Sequence, residues 1–205
     1  MKPIILTGFE AFLNHEANPS QLVVGELDGK MINGVTIMGE VLPVSFNRAS
    51  ETLARIVEET DPAAVVMLGL AGNRTAISLE RVAINIMDGP GDNDGVQRRD
   101  CFIKEEGAAA YFSTLPLREM EAAILPYDAS VYISNTAGTY VCNALMYGTL
   151  HEMNRKNETV PAGFIHIPFT NEIKQGMPLS NDQLLKAIEA SIHALVSHVS
   201  ASVSK

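Results

Sequence analysis

The sequence predicts an α/β protein with a mostly parallel twisted sheet that is covered by helices on both faces. Apolar runs of strand length alternate with segments of helical periodicity, and this alternation is typical of parallel strands joined by helical crossovers. The chain has 205 residues, of which 46% are apolar and 19% charged, which is typical of a folded globular protein. This length suits one domain with a full-sized core, so residues 1–205 are predicted to form a single domain.

The N-terminal half contains four extended segments and one helix. Pro3–Thr7 is a short apolar run, and Val35–Val41 is rich in β-branched residues, so both are predicted strands. Asn47–Thr60 places Leu, Ile and Val on one helical face and is followed by an Asp-Pro pair that ends the helix. Ala63–Leu70 is a strongly apolar strand, and Ile77–Ile86 is predicted to be extended.

The C-terminal half continues the alternation. Leu117–Leu125 is a helix opened by a proline, at the position where a missing N–H costs nothing. Ser130–Ser134 is a strand, Thr139–Met153 a helix, and Gly163–Ile167 a strand closed by a proline. Ser180–Val199 is a long amphipathic helix, whose initial serine and the glutamine three residues later form a capping box.

Ligands of open α/β sheets gather at the carboxyl ends of the strands. We therefore expect a site formed by the turns after Thr7, Leu70, Ser134 and His166.

Composition excludes several classes of function. The formal net charge is −9, and the compact basic pair Arg98–Arg99 is followed directly by an aspartate, so a nucleic-acid-binding protein is not expected. No apolar run reaches the roughly 18 residues of a membrane span, and no signal peptide is recognised. The two cysteines, Cys101 and Cys142, form no C-x-x-C motif, so we expect free thiols in a cytoplasmic protein.

Cys142 is the candidate nucleophile. If Thr139 is the N-cap of the helix, Cys142 is at N3, where unpaired amides and the positive end of the helix dipole favour a thiolate. Gly138 lets the backbone approach a substrate carbonyl. The alternative is a buried cysteine that packs as a small apolar residue.

His166 is the candidate base, because an imidazole inside the apolar strand GFIHIPF needs a hydrogen-bond partner. The alternative is a core histidine with a structural partner. Among the other histidines, His15 follows the first strand and is a weaker candidate for the border of a site.

Glu80 and two aromatic residues complete the candidates. Glu80 is either the carboxylate that orients the imidazole or a member of a half-exposed strand pair with Arg81. Phe9 and Phe12 are either core residues or a clamp on a small flat ring. The segment DGPGDNDG at Asp88–Gly95 is predicted to be a solvated loop or lid, without the spacing of a calcium loop.

Five ordered motifs make the chain similar to a known family. They are TGFEAF with Asn18–Pro19–Ser20, GLAGNRT followed by ERVAIN, AYFSTLP, SNTAGTYVCNALMYG, and GFIHIPF. Together they resemble the pyroglutamyl peptidase I (pyrrolidone-carboxylate peptidase) family of cysteine exopeptidases, nearly end to end.

The resemblance implies a single three-layer α/β/α sandwich that uses no metal or cofactor and forms homodimers or homotetramers. The family's Cys–His–Glu triad maps onto Cys142, His166 and Glu80. The implied reaction removes an N-terminal pyroglutamyl residue from peptides through a thioester acyl-enzyme. The residues expected to border the substrate pocket are Phe9, Phe12, Leu70, Val141 and Met146.

The sequence also departs from the family pattern. Leu70 replaces a Gln, Asn73 a Gly, and Pro90 an Arg that is thought to assist at the oxyanion; Ala11 and Thr136 replace a Pro and a His. Two alternatives therefore stay open. One is a divergent enzyme with another acyl preference, and the other is a non-catalytic binding homologue that kept the fold.

Overall fold

The computed structural model describes residues 2–12 and 17–203. Eleven strands and five α-helices follow one another along these residues. The strands are β1 (Ile4–Phe9), β2 (Met31–Ile32), β3 (Val35–Leu42), β4 (Ala64–Leu70), β5 (Ile77–Glu80), β6 (Val82–Ile84), β7 (Met87–Gly89), β8 (Arg98–Cys101), β9 (Ala110–Phe112), β10 (Val131–Ser134) and β11 (Ala162–Ile167). The helices are α1 (Pro19–Leu27), α2 (Arg48–Thr60), α3 (Leu117–Ile124), α4 (Val141–Lys156) and α5 (Asn181–Val203).

A seven-stranded sheet in the order β10-β5-β11-β4-β1-β3-β2 forms the centre. Strands β3, β1, β4 and β11 are mutually parallel. Strand β5 runs antiparallel to β11, and β10 is parallel to β5. The predicted mostly parallel sheet is confirmed, but the carboxyl end of β10 does not lie at the same edge as those of β1, β4 and β11.

Two apolar clusters cover the two faces of this sheet. One joins α1, α3 and α5 to side chains such as Leu6, Val66 and Ile165. The other joins α2 and α4 to side chains such as Ile5, Met67 and Phe164. Because side chains alternate along each strand, consecutive residues of the fully buried strands β1, β4 and β11 supply both cores, and the predicted α/β/α sandwich is confirmed.

Several element boundaries differ from the predictions. The extended run predicted for Ile77–Ile86 divides into β5 and β6, and β6 pairs with β9 in a separate ribbon. Helix α1 was not predicted, although Asn18 caps it by accepting a hydrogen bond from the N–H of Ser20 and a proline begins it. The capping box of α5 is confirmed, and this helix continues to Val203, beyond its predicted end. None of the helices described is long and apolar enough to cross a membrane.

Candidate active site

The antiparallel pairing of β5 with β11 brings Glu80 to His166. His166 is directly opposite Ser78, and Glu80 is two residues further along β5. Glu80 is therefore the diagonal neighbour of His166 on the same face of the sheet. Glu80 Oε1 accepts a hydrogen bond of 2.7 Å from His166 Nδ1. Because the carboxylate only accepts, this bond places the proton on Nδ1 and directs Nε2 away from Glu80.

Arg74 is the second partner of Glu80 and had no predicted role. Its Nη1 donates to Glu80 Oε1 at 2.5 Å, and its Nη2 donates to the carbonyl oxygen of Thr136 at 3.0 Å. The side chain of Glu80 is fully buried, whereas that of Arg74 is 20% exposed. The alternative that paired Glu80 with Arg81 is wrong, because Arg81 donates to the side chain of Asn135.

Cys142 is in the first turn of α4, one position earlier than predicted. Tyr140 is the N-cap, with φ −86° and ψ −166°, and it makes no side-chain capping bond, so Cys142 is at N2. Thr139, the predicted cap, donates its hydroxyl to the carbonyl oxygen of Asp88 at 2.7 Å instead. The first amides of α4 therefore have no side-chain acceptor.

The sulfur of Cys142 lies over Gly69, the residue that pairs with His166 across β4 and β11. A Cβ added to Gly69 would be 3.0 Å from Cys142 Sγ, so only glycine leaves room for the sulfur there. Cys142 and His166 line the same pocket. Among the described residues, the imidazole of His166 is hydrogen-bonded to Glu80 and not to Cys142. Hydrogen bonds between reacting side chains often shorten only when substrate binds.

Burial governs the protonation of both groups. Desolvation, and secondarily the negative charge of Glu80, raises the pKa of Cys142 to about 12, although Arg74 acts in the opposite direction. Desolvation also lowers the pKa of His166 below 6.5, against the opposing effect of the Glu80 hydrogen bond. Burial therefore opposes the resting thiolate that the helix N-terminus favours. Both shifts favour a thiol and a neutral imidazole at neutral pH.

A pocket of about 290 Å³ opens at Cys142 and His166. Four of the five predicted substrate contacts line it, namely Phe9, Phe12, Leu70 and Val141. Met146 does not line it. That side chain is fully buried in the apolar cluster between α4 and the sheet, because it lies one turn further along α4 on the same face as Cys142.

Tyr140 is a wall of the pocket that sequence analysis missed. Its ring makes an edge contact with Phe46, with centroids 5.2 Å apart, and a tilted contact with Phe12 at 6.4 Å. Its hydroxyl donates to the carbonyl oxygen of Gly91 at 3.2 Å. The signal available in the sequence was its position two residues before Cys142, in the motif SNTAGTYVCNALMYG.

The segment 88–95 is mostly exposed, as predicted for a solvated loop, but it is anchored at Asp92. The carboxylate of Asp92 is buried and accepts hydrogen bonds from the N–H groups of Phe46, Asp94 and Val96. These bonds fix the backbone that holds the Tyr140 hydroxyl. Pro90 is exposed and is absent from the described lining of the pocket. His15 lies outside the described residues.

Comparison with known proteins gives one consistent family. A family model described as "Pyroglutamyl peptidase" matches residues 2–198. A pyrrolidone-carboxylate peptidase from Halalkalibacterium halodurans is 44% identical over 171 residues, which are 83% of this chain and 85% of the relative. One from Oceanobacillus iheyensis is 39% identical over 198 residues, 95% of this chain and 100% of the relative.

Solved structures agree with the sequence relatives. The pyrrolidone carboxyl peptidase of Thermococcus litoralis superposes with a TM-score of 0.92 at 36% identity, covering 98% of this chain and 96% of that one. A variant of the enzyme from Pyrococcus furiosus superposes with a TM-score of 0.90 at 35% identity, covering 96% and 99% of the two chains.

Proposed function

The chain belongs to the pyroglutamyl peptidase family, and we propose that it hydrolyses the amide bond after an N-terminal pyroglutamyl residue of a peptide. Cys142 is the nucleophile, His166 the general base and acid, and Glu80 the carboxylate that orients the imidazole. The observation that carries this proposal is the shared pocket, in which the Cys142 thiol and a carboxylate-bound imidazole border one small apolar cavity.

Acylation begins from the neutral pair. Nε2 of His166 takes the proton from Cys142 while Sγ attacks the amide carbonyl carbon, so no free thiolate accumulates. Glu80, bonded to Nδ1–H, stabilises the imidazolium that forms. The imidazolium then gives its proton to the leaving amine as the carbon–nitrogen bond breaks, which leaves a pyroglutamyl thioester on Cys142.

Deacylation repeats the chemistry with water. His166 takes a proton from the water that attacks the thioester carbonyl, and returns that proton to the sulfur as the carbon–sulfur bond breaks. Free pyroglutamic acid and the Cys142 thiol result. The reaction consumes one water molecule per amide bond.

The backbone is the source of oxyanion stabilisation in this proposal. The amides of Val141 and Cys142 begin α4 without a side-chain cap, and their N–H groups are at the positive end of the helix dipole. The preceding Gly138 has φ +77°, a conformation that side chains rarely adopt. Pro90, at the position of the family's arginine, offers no donor, so these amides act without a cationic side chain from that loop.

The pocket walls support a small ring-shaped acyl group. Phe9, Phe12, Leu70 and Val141 present apolar surface, which suits the methylene face of a lactam. Leu70 carries no hydrogen-bonding group, whereas the family pattern has Gln at this position. The lactam N–H and C=O therefore bind other polar groups of the pocket, which has backbone groups and the side chains of Asn18 and Asn73 in its lining.

The test is hydrolysis of a pyroglutamyl anilide by the wild type, Cys142→Ala and Cys101→Ala. Cys101 is the matched control because it is the other cysteine, is half-buried, and does not line the described pocket. We expect turnover by the wild type and Cys101→Ala and none by Cys142→Ala. Normal turnover by Cys142→Ala would refute the proposal.

Two outcomes would favour the alternatives instead. Alkylation of Cys142 by iodoacetamide, with pyroglutamyl anilides left intact, would indicate another acyl preference, for which Leu70 is the first residue to examine. An unreactive Cys142 and no hydrolysis would indicate a binding homologue.

Cellular location and assembly belong to the proposal as well. Both cysteines are free thiols, which is consistent with a reducing cytoplasm, and we expect a homodimer or homotetramer. Light scattering of the purified protein measures the assembly directly, and a monomer at micromolar concentration would contradict it.

A further inference from the structure

Arg74 links the carboxylate of the proposed relay to the turn that precedes the nucleophile. One guanidinium nitrogen binds buried Glu80, and the other binds the carbonyl oxygen of Thr136, six residues before Cys142. The turn is also held by Thr136 itself, whose hydroxyl accepts a hydrogen bond from the N–H of Gly138. A planar fork with two donors suits this two-point contact better than a lysine ammonium.

We propose that Arg74 is a positioning residue, which holds Glu80 as an ionised acceptor for His166 and fixes the Thr136 turn beside Cys142. This inference rests on the proposed function, because it assigns Arg74 a task within the same site. Arg74 also lines the pocket, but its guanidinium is hydrogen-bonded to Glu80 and to the Thr136 turn, and it acts through them.

The burial of Glu80 makes a cation necessary. A buried carboxylate is costly unless it is paired and hydrogen-bonded. Oε1 of Glu80 receives both Arg74 and His166, whereas Oε2 has no hydrogen-bond partner among the described residues. Without Arg74, the imidazole N–H is the remaining partner of the negative charge.

Two charged groups act on His166, namely Glu80 on β5 and Arg74 in the turn after β4. The Cys142 thiol on α4 is the titratable group that lines the same pocket. The guanidinium of Arg74, bound to Glu80, acts on His166 by its positive charge and contributes to lowering the pKa of that imidazole. Removal of this charge therefore raises the pKa of His166.

The test compares Arg74→Met and Arg74→Lys with the wild type and with Arg55→Met. Arg55 is the matched control, since it pairs with Glu59 on the exposed face of α2. For Arg74→Met we expect kcat on a pyroglutamyl anilide to fall about 10–100-fold, as for a misplaced reacting group. We expect the acid limb of the pH profile of kcat/KM to move to higher pH by about one unit in this variant. Arg55→Met matches the wild type in both.

Arg74→Lys keeps the charge but cannot reproduce the fork, so we expect a wild-type acid limb and an intermediate kcat. This variant decides the outcome if circular dichroism shows that Arg74→Met does not fold. Wild-type kcat in Arg74→Lys would then overturn the two-point contact. An unmoved acid limb in folded Arg74→Met would overturn the electrostatic role.

A spectroscopic readout separates this inference from the proposed function. The ring nitrogens of His166, identified by comparison with His166→Gln, are titrated by ¹⁵N NMR in the wild type and Arg74→Met. If the wild type does not cleave pyroglutamyl anilides, the proposed function fails. The inference about Arg74 then stands if the titration moves to higher pH in the variant, and fails if the two curves coincide.

Discussion

Gly69→Ala tests the placement of the Cys142 sulfur. The added Cβ would lie 2.6 Å from Cζ of Phe164 and 3.0 Å from Sγ of Cys142. Ordinary carbon–carbon contacts are about 3.5–4.0 Å, so the phenyl ring must move by about 1 Å. Phe164 is fully buried and its ring packs on His166, with centroids 4.7 Å apart, so the displacement reaches both proposed reacting side chains.

The magnitudes follow from this overlap. Overpacking of this kind costs about 1–3 kcal/mol, which lowers the melting temperature of a chain of this size by about 2–12 °C. A displacement of the reacting atoms by about 1 Å reduces turnover by up to about 10²-fold. The assays are thermal unfolding followed by circular dichroism and steady-state hydrolysis of a pyroglutamyl anilide.

Gly25→Ala is the control for the change of residue type. A Cβ at Gly25 in α1 meets nothing within 4 Å, and alanine stabilises a helix relative to glycine by up to about 1 kcal/mol. We expect unchanged turnover and a slightly higher melting temperature for this variant. If Gly69→Ala retained the turnover and melting temperature of the wild type, the sulfur would not lie over Gly69 and the reasoning would be refuted.

Four further predictions concern this site and the helix that carries Cys142. Glu80→Gln should lose about 10³–10⁴ in kcat because an amide cannot stabilise the imidazolium, and near-normal kinetics would argue against the relay. Burial holds the pKa of His166 below 6.5, so the acid limb of the pH profile of kcat/KM should lie below pH 6.5. The unfolding free energy should also fall as the pH drops below 6.5, because the imidazole of the unfolded chain takes up a proton there before that of the folded chain does. A pKa of about 12 for Cys142 predicts that ultraviolet thiolate absorbance is missing at neutral pH, and its presence there would establish a thiolate–imidazolium pair instead. Asn143→Ala removes three hydrogen bonds between α4 and the backbone at Ile84 and Ile86 and should lower the unfolding free energy by about 3 kcal/mol; an unchanged urea midpoint would contradict this.

Sequence analysis predicted those residues of the site whose role is indicated by their immediate neighbours in the sequence. A cysteine just after a strand and turn, at the start of a helix, and an imidazole inside an apolar strand can each be read from a few neighbouring residues. The structure places Cys142 and His166 at one pocket and Glu80 on His166. Their catalytic roles remain predictions until the variants are measured.

The parts that sequence analysis missed depend on pairing between segments. Arg74 was overlooked because its partner Glu80 is brought to it by the reversal between β4 and β5, and the antiparallel direction of β5 cannot be read from a continuous extended pattern. The effect of burial on the Cys142 thiol was also not predicted, because helix position is visible in a sequence, whereas desolvation depends on the packing of β4 beneath the sulfur.

Helix orientation explains the remaining error. Residues 141–147 of α4 are almost all apolar or small, so periodicity cannot distinguish the side that borders the pocket from the side that faces the sheet. Val141 lines the pocket and Met146 lies in the core. Periodicity gave no information on Tyr140 either, because this residue lies before the helix and is oriented by Phe46 and the loop at Gly91.

The most direct measurement of the central claim is acid quenching during turnover of a pyroglutamyl substrate, followed by mass spectrometry of the digested protein. We predict a pyroglutamyl adduct on the peptide that contains Cys142, no adduct on the peptide that contains Cys101, and none in Cys142→Ala. Hydrolysis that proceeds with Cys142 unmodified in every quenched sample and undiminished in Cys142→Ala would contradict a thioester at this residue.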